Sequence, residues 1–382
     1  MHFIARSLLA FAVITTASAC AGVPATSRAV QPSTTTGAAH AERIAPWRPR
    51  FGRSRPVIAV IGENTGTELT DFVIPYGVLT QAGVGDTFAV ATRPGLLKMR
   101  PTLQVQPQTT IAEFDARFPE GADYVIVPAV VKHDDAALVA WIAAQGAKGS
   151  TVVSICDGAL VVANAGLMKG RRATSHWATE ALRAKRYPAT QWVRNVRYVA
   201  DDTIVSSAGI SAAIPTSLAL VEAIAGHARA AMVARELGVT EWGSQHDSDR
   251  FKPRLGRNIT SFAVTDLLNP RLGRVQQIGV PIASGVDEIA LALTADAYSR
   301  TGRSRAMSLS ATDAPVTTRN GLVVLPDVIS GGPDTLDAVL PAFDATPSAR
   351  VFDTALAGIA KRYGRATAHG VALAFEYPGF ER

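Results

Sequence analysis

The chain has 382 residues, 47% of them hydrophobic and 18% charged, which excludes a disordered or collagen-like polymer. Its net charge of +6 sits in residues 1–55, where seven arginines face one acid, Glu42, and the rest of the chain balances to zero. That distribution gives no support to a nucleic-acid-binding domain, and the length suits two domains or one large one.

Residues 1–20 read MHFIARSLLAFAVITTASAC. Arg6 precedes an apolar run, Leu8 to Ile14, far short of the roughly 20 residues a membrane span needs. A basic start, a short apolar run and small residues after it form the pattern of a secretory signal. Ala17-Ser18-Ala19-Cys20 resembles a bacterial lipobox. The expectation is cleavage before Cys20 and lipidation of its thiol, with an ordinary signal peptide cut after Ala19 or Ala21 as the alternative. Either route exports the protein to the periplasmic or extracytoplasmic face, and the first tethers it to a bacterial membrane. Residues 21–54, rich in Ser, Thr, Pro and Ala, read as a disordered tether. Besides Cys20 there is one cysteine, Cys156, so no intramolecular disulfide forms once Cys20 is lipidated or removed.

The body, 55–226, opens with VIAVIG (57–62), a short Val/Ile-rich run that predicts a buried parallel strand. A helix follows over Thr67–Ala82, closed by Gly83. FAVAT (88–92), ADYVIVP (122–128) and TVVSI (151–155) predict further strands, with a helix over Asp134–Gln145 and another over Ala159–Ala165. RRATSH (171–176) and TIVSSA (203–208) are two more strand candidates, ahead of a helix over Ala212–Ile224. Strands alternating with helices predict βαβ units and a mostly parallel sheet. Residues 227–274 break this rhythm and read as a helix and linker.

A partial internal repeat begins near Val275. VIAVIG is echoed by QIGVPIASG (277–285), and Leu103-x-Val105-x-Pro107 recurs as Leu322-x-Val324-x-Pro326. The repeat lacks a counterpart of TVVSICDG, so 275–382 reads as a degenerate half-copy, ending in a helix over Ser348–Tyr363.

The chemistry concentrates at TVVSI-Cys156-Asp157-Gly158-Ala159, where a strand runs into a cysteine and a helix starts at once. Such a turn lifts the sulfur to the carboxyl end of the sheet, where open α/β folds bind ligands. The helix N-terminus favours a thiolate there, which suits a nucleophile or a redox sensor. A buried, inert cysteine is the competing reading.

Cys156-Asp-Gly-Ala-Leu, Ala165-Gly-Leu-Met-Lys-Gly-Arg-Arg-Ala-Thr-Ser-His176-Trp177 and Ser207-Ala-Gly-Ile-Ser-Ala together resemble the ThiJ/PfpI family of the class I glutamine amidotransferase-like superfamily. Within it they most resemble the branch of isonitrile hydratases and the N-terminal halves of AraC-type regulators. The resemblance covers about 56–226, and 275–340 weakly. It implies a flavodoxin-like three-layer α/β sandwich, with 275–382 as a partial second copy.

The resemblance also implies roles. Cys156 falls at the family's nucleophile, Asp71 at its acidic partner, and His176 where a histidine often stands near the sulfur. Asp157 and Gly158 follow the nucleophile; Ala129 and Val130 replace the glycines usual at the oxyanion hole; His133 lines the mouth. His133, Asp134 and Asp135 read better as a surface helix cap than as a metal site. In the second copy Ala290 stands at the position of Asp71 and no cysteine is present, so that copy is expected to be catalytically dead. Asp157 in place of a histidine removes the peptidase-type pair.

The first expected function is a cysteine-dependent hydrolase or hydratase acting on a small molecule, without cofactor or metal. The second is a non-catalytic ligand-binding or redox-sensing module. The C-terminal part does not read as paired helix-turn-helix units, so a transcriptional regulator is not expected. Relatives pair through sheet edges or nearby helices, which makes a homodimer one expectation and occupation of that surface by the second copy the other.

Overall fold

Val57–Gly62 (β1) is buried throughout, and its side chains alternate between two cores: Ile58 and Val60 face one, Val57, Ala59 and Ile61 the other. A strand apolar on both faces belongs inside a sheet covered by helices on each side. The computed structural model, which describes residues 42–380 apart from 257, 334 and 344, has that arrangement. The expectations for residues 1–20, including Cys20, lie outside the described residues.

Seven strands form the main sheet. Asp86–Ala91 (β2) and Tyr124–Val127 (β3) flank β1 in parallel, with Ile58 opposite Thr87 and Tyr124. Thr151–Ser154 (β4) lies parallel to β3, and Ile204–Ser207 beyond it is parallel as well. Thr109–Thr110 closes one edge in parallel, and Tyr198–Asp201, antiparallel to Ile204–Ser207, closes the other. Leu69–Ala82 (α1), ended by the left-handed Gly83, packs on one face; Ala136–Ala147 (α2) and Gly158–Asn164 (α3) pack on the other. This is the flavodoxin-like, mostly parallel three-layer sandwich.

In the second half, Gln276–Pro281 (β5), Glu288–Ser299 (α4) and Ser304–Ser310 (β6) repeat the order β1–α1–β2, with β5 parallel to β6. Val328–Ile329 and Ala338–Val339 extend that sheet on either side, also in parallel. The repeated motifs meet. Gln104–Gln106 runs antiparallel to Val323–Leu325, with Val105 opposite Val324. Equivalent valines facing one another mark a local twofold relation between the halves. Beside this ribbon α1 crosses α4 so closely that a Cβ on Gly77 would lie 2.8 Å from Ile289 and 2.9 Å from Glu288.

Four segments differ from the sequence reading. RRATSH yields only Arg172–Ala173, paired with Gln191–Trp192 in a separate two-stranded sheet, and the next N–H, that of Thr174, donates to the Ser206 hydroxyl and not to a backbone carbonyl. The sequence reading includes neither the edge strand Tyr198–Asp201 nor the helix Arg365–Ala374. The tether ends earlier than residue 54. Ile44 is buried, and the Trp47 indole donates to Asp123 at 3.2 Å. Arg50 and Arg53 donate to the carbonyls of Lys148 and Gly121. Among the described residues no helix is long and apolar enough to cross a membrane.

Candidate functional site

The site is built where β4 gives way to α3. The Ile155 N–H still bonds the Val127 carbonyl at 2.9 Å, and then Cys156 turns back with φ of +54°. That conformation is unfavourable for a residue with a Cβ and persists only where its surroundings over-determine it. Here the Cys156 N–H donates to Ser207 Oγ at 3.2 Å and its carbonyl accepts from Ser175 Oγ at 2.9 Å. Two residues on, a Cβ at Gly158 would lie 2.0 Å from the Val127 carbonyl oxygen. The turn therefore requires glycine at that point.

Cys156 is buried, with 7% of its surface exposed. Burial, followed by the charges of Asp71, Asp157 and Glu68, pushes the thiol well above its ordinary range. That direction runs against the thiolate expected at the turn. A seven-residue helix and one N–H bond from Asp157 are outweighed by desolvation and three nearby acids. Alkylation of Cys156 by iodoacetamide, followed by mass spectrometry across pH, is expected to reach its midpoint above about 8.5. A midpoint at neutral pH would contradict this electrostatic picture.

Asp71 sits in the first turn of α1, buried. Its Oδ2 accepts the Ala129 N–H at 3.2 Å, while Oδ1 has no hydrogen-bond partner among the described residues. Burial, and then the neighbouring Glu68, hold this carboxyl well above the usual carboxylate range.

The segment from Pro128 to Val131 is laced to the start of α1. Glu68 N–H donates to the Ala129 carbonyl at 2.8 Å, and Val130 bridges to Thr67. The Ala129 N–H is spent on Asp71, so it is not a free oxyanion donor in this state. His133 is held by Asn164, which meets its Nδ1 at 3.2 Å and donates to its carbonyl at 2.7 Å. Asp135 caps α2 through the Leu138 N–H.

Asp157 accepts from Ser175 Oγ at 2.8 Å and Thr179 Oγ1 at 2.6 Å. His176 does not serve the sulfur. Its Nδ1 accepts the Ala178 N–H at 3.2 Å, which leaves Nε2 as the donor to the Ala374 carbonyl, also at 3.2 Å. With both ring nitrogens committed to the chain around it, His176 anchors the C-terminal segment instead of acting as a base. That segment carries Glu376, buried, whose Oε2 accepts from His246 Nε2 at 2.7 Å and Ser248 Oγ at 2.8 Å.

Sequence reasoning missed Glu68 and Arg300. Glu68 lies three residues before Asp71, and burial pushes its carboxyl up to about 8 against the pull of Arg300. An acid raised in the folded state favours folding most below its unfolded value near 4.5, and that contribution is lost as pH rises through about 8. Thermal denaturation of Glu68→Gln is therefore expected to fall less steeply between pH 5 and 8 than that of the parent. Parallel curves would remove Glu68 from the buried set. A spacing rule offers Glu68; no local signal offers Arg300, which lies more than 200 residues away.

Residues 57–223 match the family model described as the DJ-1/PfpI family. The chain is 31% identical over 140 residues to isonitrile hydratase of Pseudomonas putida, across 35% of this chain and 58% of that protein. It is 28% identical over 185 residues to protein dj-1beta of Drosophila melanogaster, across 45% of this chain and 91% of that one. The crystal structure of the Drosophila DJ-1beta superposes with a TM-score of 0.45 at 22% identity, covering 49% of this chain and 100% of the other. The alignment thus reaches little more than half the length of the hydratase. The span that matches the DJ-1/PfpI family model, residues 57–223, contains both the Cys156 turn and Asp71 beside it.

Proposed function

We propose that this domain is a cysteine-dependent hydratase or hydrolase for a small uncharged molecule, with Cys156 as nucleophile and Asp71 as proton carrier. One observation supports the reading: beside the Cys156 turn lies the buried carboxyl of Asp71, with one oxygen held by the Ala129 N–H and the other unpartnered among the described residues. A thiol and a carboxyl both pushed toward their protonated forms favour chemistry in which sulfur and proton are delivered together. The pair disfavours an anionic substrate, which would also meet Asp157 and Glu68.

Addition of water to an isonitrile, R–N≡C, fits this pair. Asp71 protonates the terminal carbon, Cys156 Sγ bonds to the same carbon, and the thiol proton passes to Asp71. The product is the thioimidate R–N=CH–S–Cys156. Water adds to that carbon, the nitrogen takes a proton, and the C–S bond breaks, which releases R–NH–CHO and the free thiol.

The test is conversion of an alkyl isonitrile to its N-alkylformamide, followed by chromatography, with Cys156→Ser as control. Formamide from the parent and none from the variant is the expected result; equal rates would overturn the reading.

The Ala129 N–H, spent on Asp71 and so not free as an oxyanion donor, favours a second, non-catalytic reading: a redox-sensing module in which a peroxide converts Cys156 to the sulfenic acid and is itself reduced to an alcohol or water. Sulfenate trapping after peroxide, without any isonitrile turnover, would select it. We also propose export and lipid anchoring through Cys20. Palmitate labelling is expected in the parent, and labelling that survives Cys20→Ser would refute the anchor.

A further inference from the structure

We propose that Arg300, contributed by the second half of the chain, is a positioning residue of the Cys156 site: it anchors Glu68 and, together with Arg183, supplies positive charge to a site that holds several acids. The inference rests on the reading of Cys156 and Asp71 as the reacting pair, and it assigns a role to the half-copy that lacks both.

The path is continuous. Arg300 follows α4, and its guanidinium pairs with Glu68 through Nη2 and with Asp296 through Nε at 2.6 Å. Asp296 accepts from Thr70 Oγ1 at 3.0 Å, one residue from Asp71. Glu68 holds the Ala129 carbonyl through its own N–H, and the Ala129 N–H holds Asp71. The Arg300 head also lies over the Phe375 ring at 5.5 Å, so both halves and the C-terminal segment converge on one cation.

The side chain of Asp296 is inaccessible and that of Glu68 is 15% exposed, so these charges are poorly screened. Burying two acids without a cation would cost several kcal/mol for each. The guanidinium's two-nitrogen fork suits two carboxylates at once. The charged groups that act on the thiol are Asp71, Asp157, Glu68, Arg183 and Arg300, with Asp296 and Arg100 behind them. Arg300 is held charged, and the thiol is among the groups that favour its charge.

The experiment measures the pH midpoint of Cys156 alkylation in the full chain. It is made in the Glu68→Gln background, where that carboxyl no longer absorbs a change by taking a proton. Glu68→Gln alone is expected to lower the midpoint. Adding Arg300→Gln is expected to raise it by about one pH unit, whereas adding Arg300→Lys leaves it near the Glu68→Gln value. A natively folded Arg300→Gln form, judged by near-ultraviolet circular dichroism, with an unmoved midpoint would overturn the proposal.

Asp296→Asn in the same background leaves Arg300 unopposed and should lower the midpoint further. No movement there overturns the proposal even where the glutamine form does not fold. Alkylation needs no turnover, so the two ideas fail separately. Absent formamide with shifted midpoints sinks the hydratase reading, and unmoved midpoints with intact turnover sink the role of Arg300.

Discussion

Gly158→Ala is expected to destabilise the protein by more than about 4 kcal/mol, the range reached only when a substitution forces a clash or cavity into the core. The added methyl would lie 2.0 Å from the Val127 carbonyl oxygen and 2.9 Å from the backbone carbon of Pro128. Neither atom belongs to a side chain that could rotate away. The Val127 carbonyl is fixed by the Ile155 N–H, and β3 is clamped between β1 and β4. Relief would require moving α3 or breaking the turn that carries Cys156. Urea denaturation measures the loss directly. A variant that melts within about 2 °C of the parent would show that the turn opens freely.

Asp71→Asn is expected to cut isonitrile hydration by roughly 10²- to 10⁴-fold, the usual contribution of a positioned proton carrier. The amide keeps the shape of the protonated acid and its bond from Ala129, but it cannot cycle a proton. Stability should move the other way. Because the folded state raises the Asp71 carboxyl, it favours folding only at low pH, and that contribution is lost as pH rises. The asparagine form should therefore match the parent in acid and melt higher at pH 8. Turnover within about threefold of the parent would remove Asp71 from the chemistry.

Much of the architecture could be read from residue patterns because its signals are local. VIAVIG and YVIV are apolar on both faces, and only a covered parallel sheet uses such strands. The break between TVVS and Gly158 located the turn for Cys156, and the paired Leu-x-Val-x-Pro motifs marked the repeat. What the pattern hid was tertiary. His176 looked available until Ala374 and Ala178 took its nitrogens, and the thiol looked activated until Glu68 and Asp71 proved to be buried beside it. Trp47 and Arg53 sit in a stretch whose composition suggests no structure, yet both find Asp123. Contacts that join residues 70 to 198 positions apart leave no trace in a window of a dozen residues.

The meeting of Val105 with Val324 has a consequence for concentration. When two halves of one polypeptide embrace, their association is unimolecular, and the loss of translational and rotational freedom that separate molecules would suffer on docking does not arise. Dilution, which dissociates ordinary dimers, leaves such an embrace untouched. This chain would keep its Arg300 seated against Glu68 at any abundance, and its chemistry would scale with the number of molecules and not with its square.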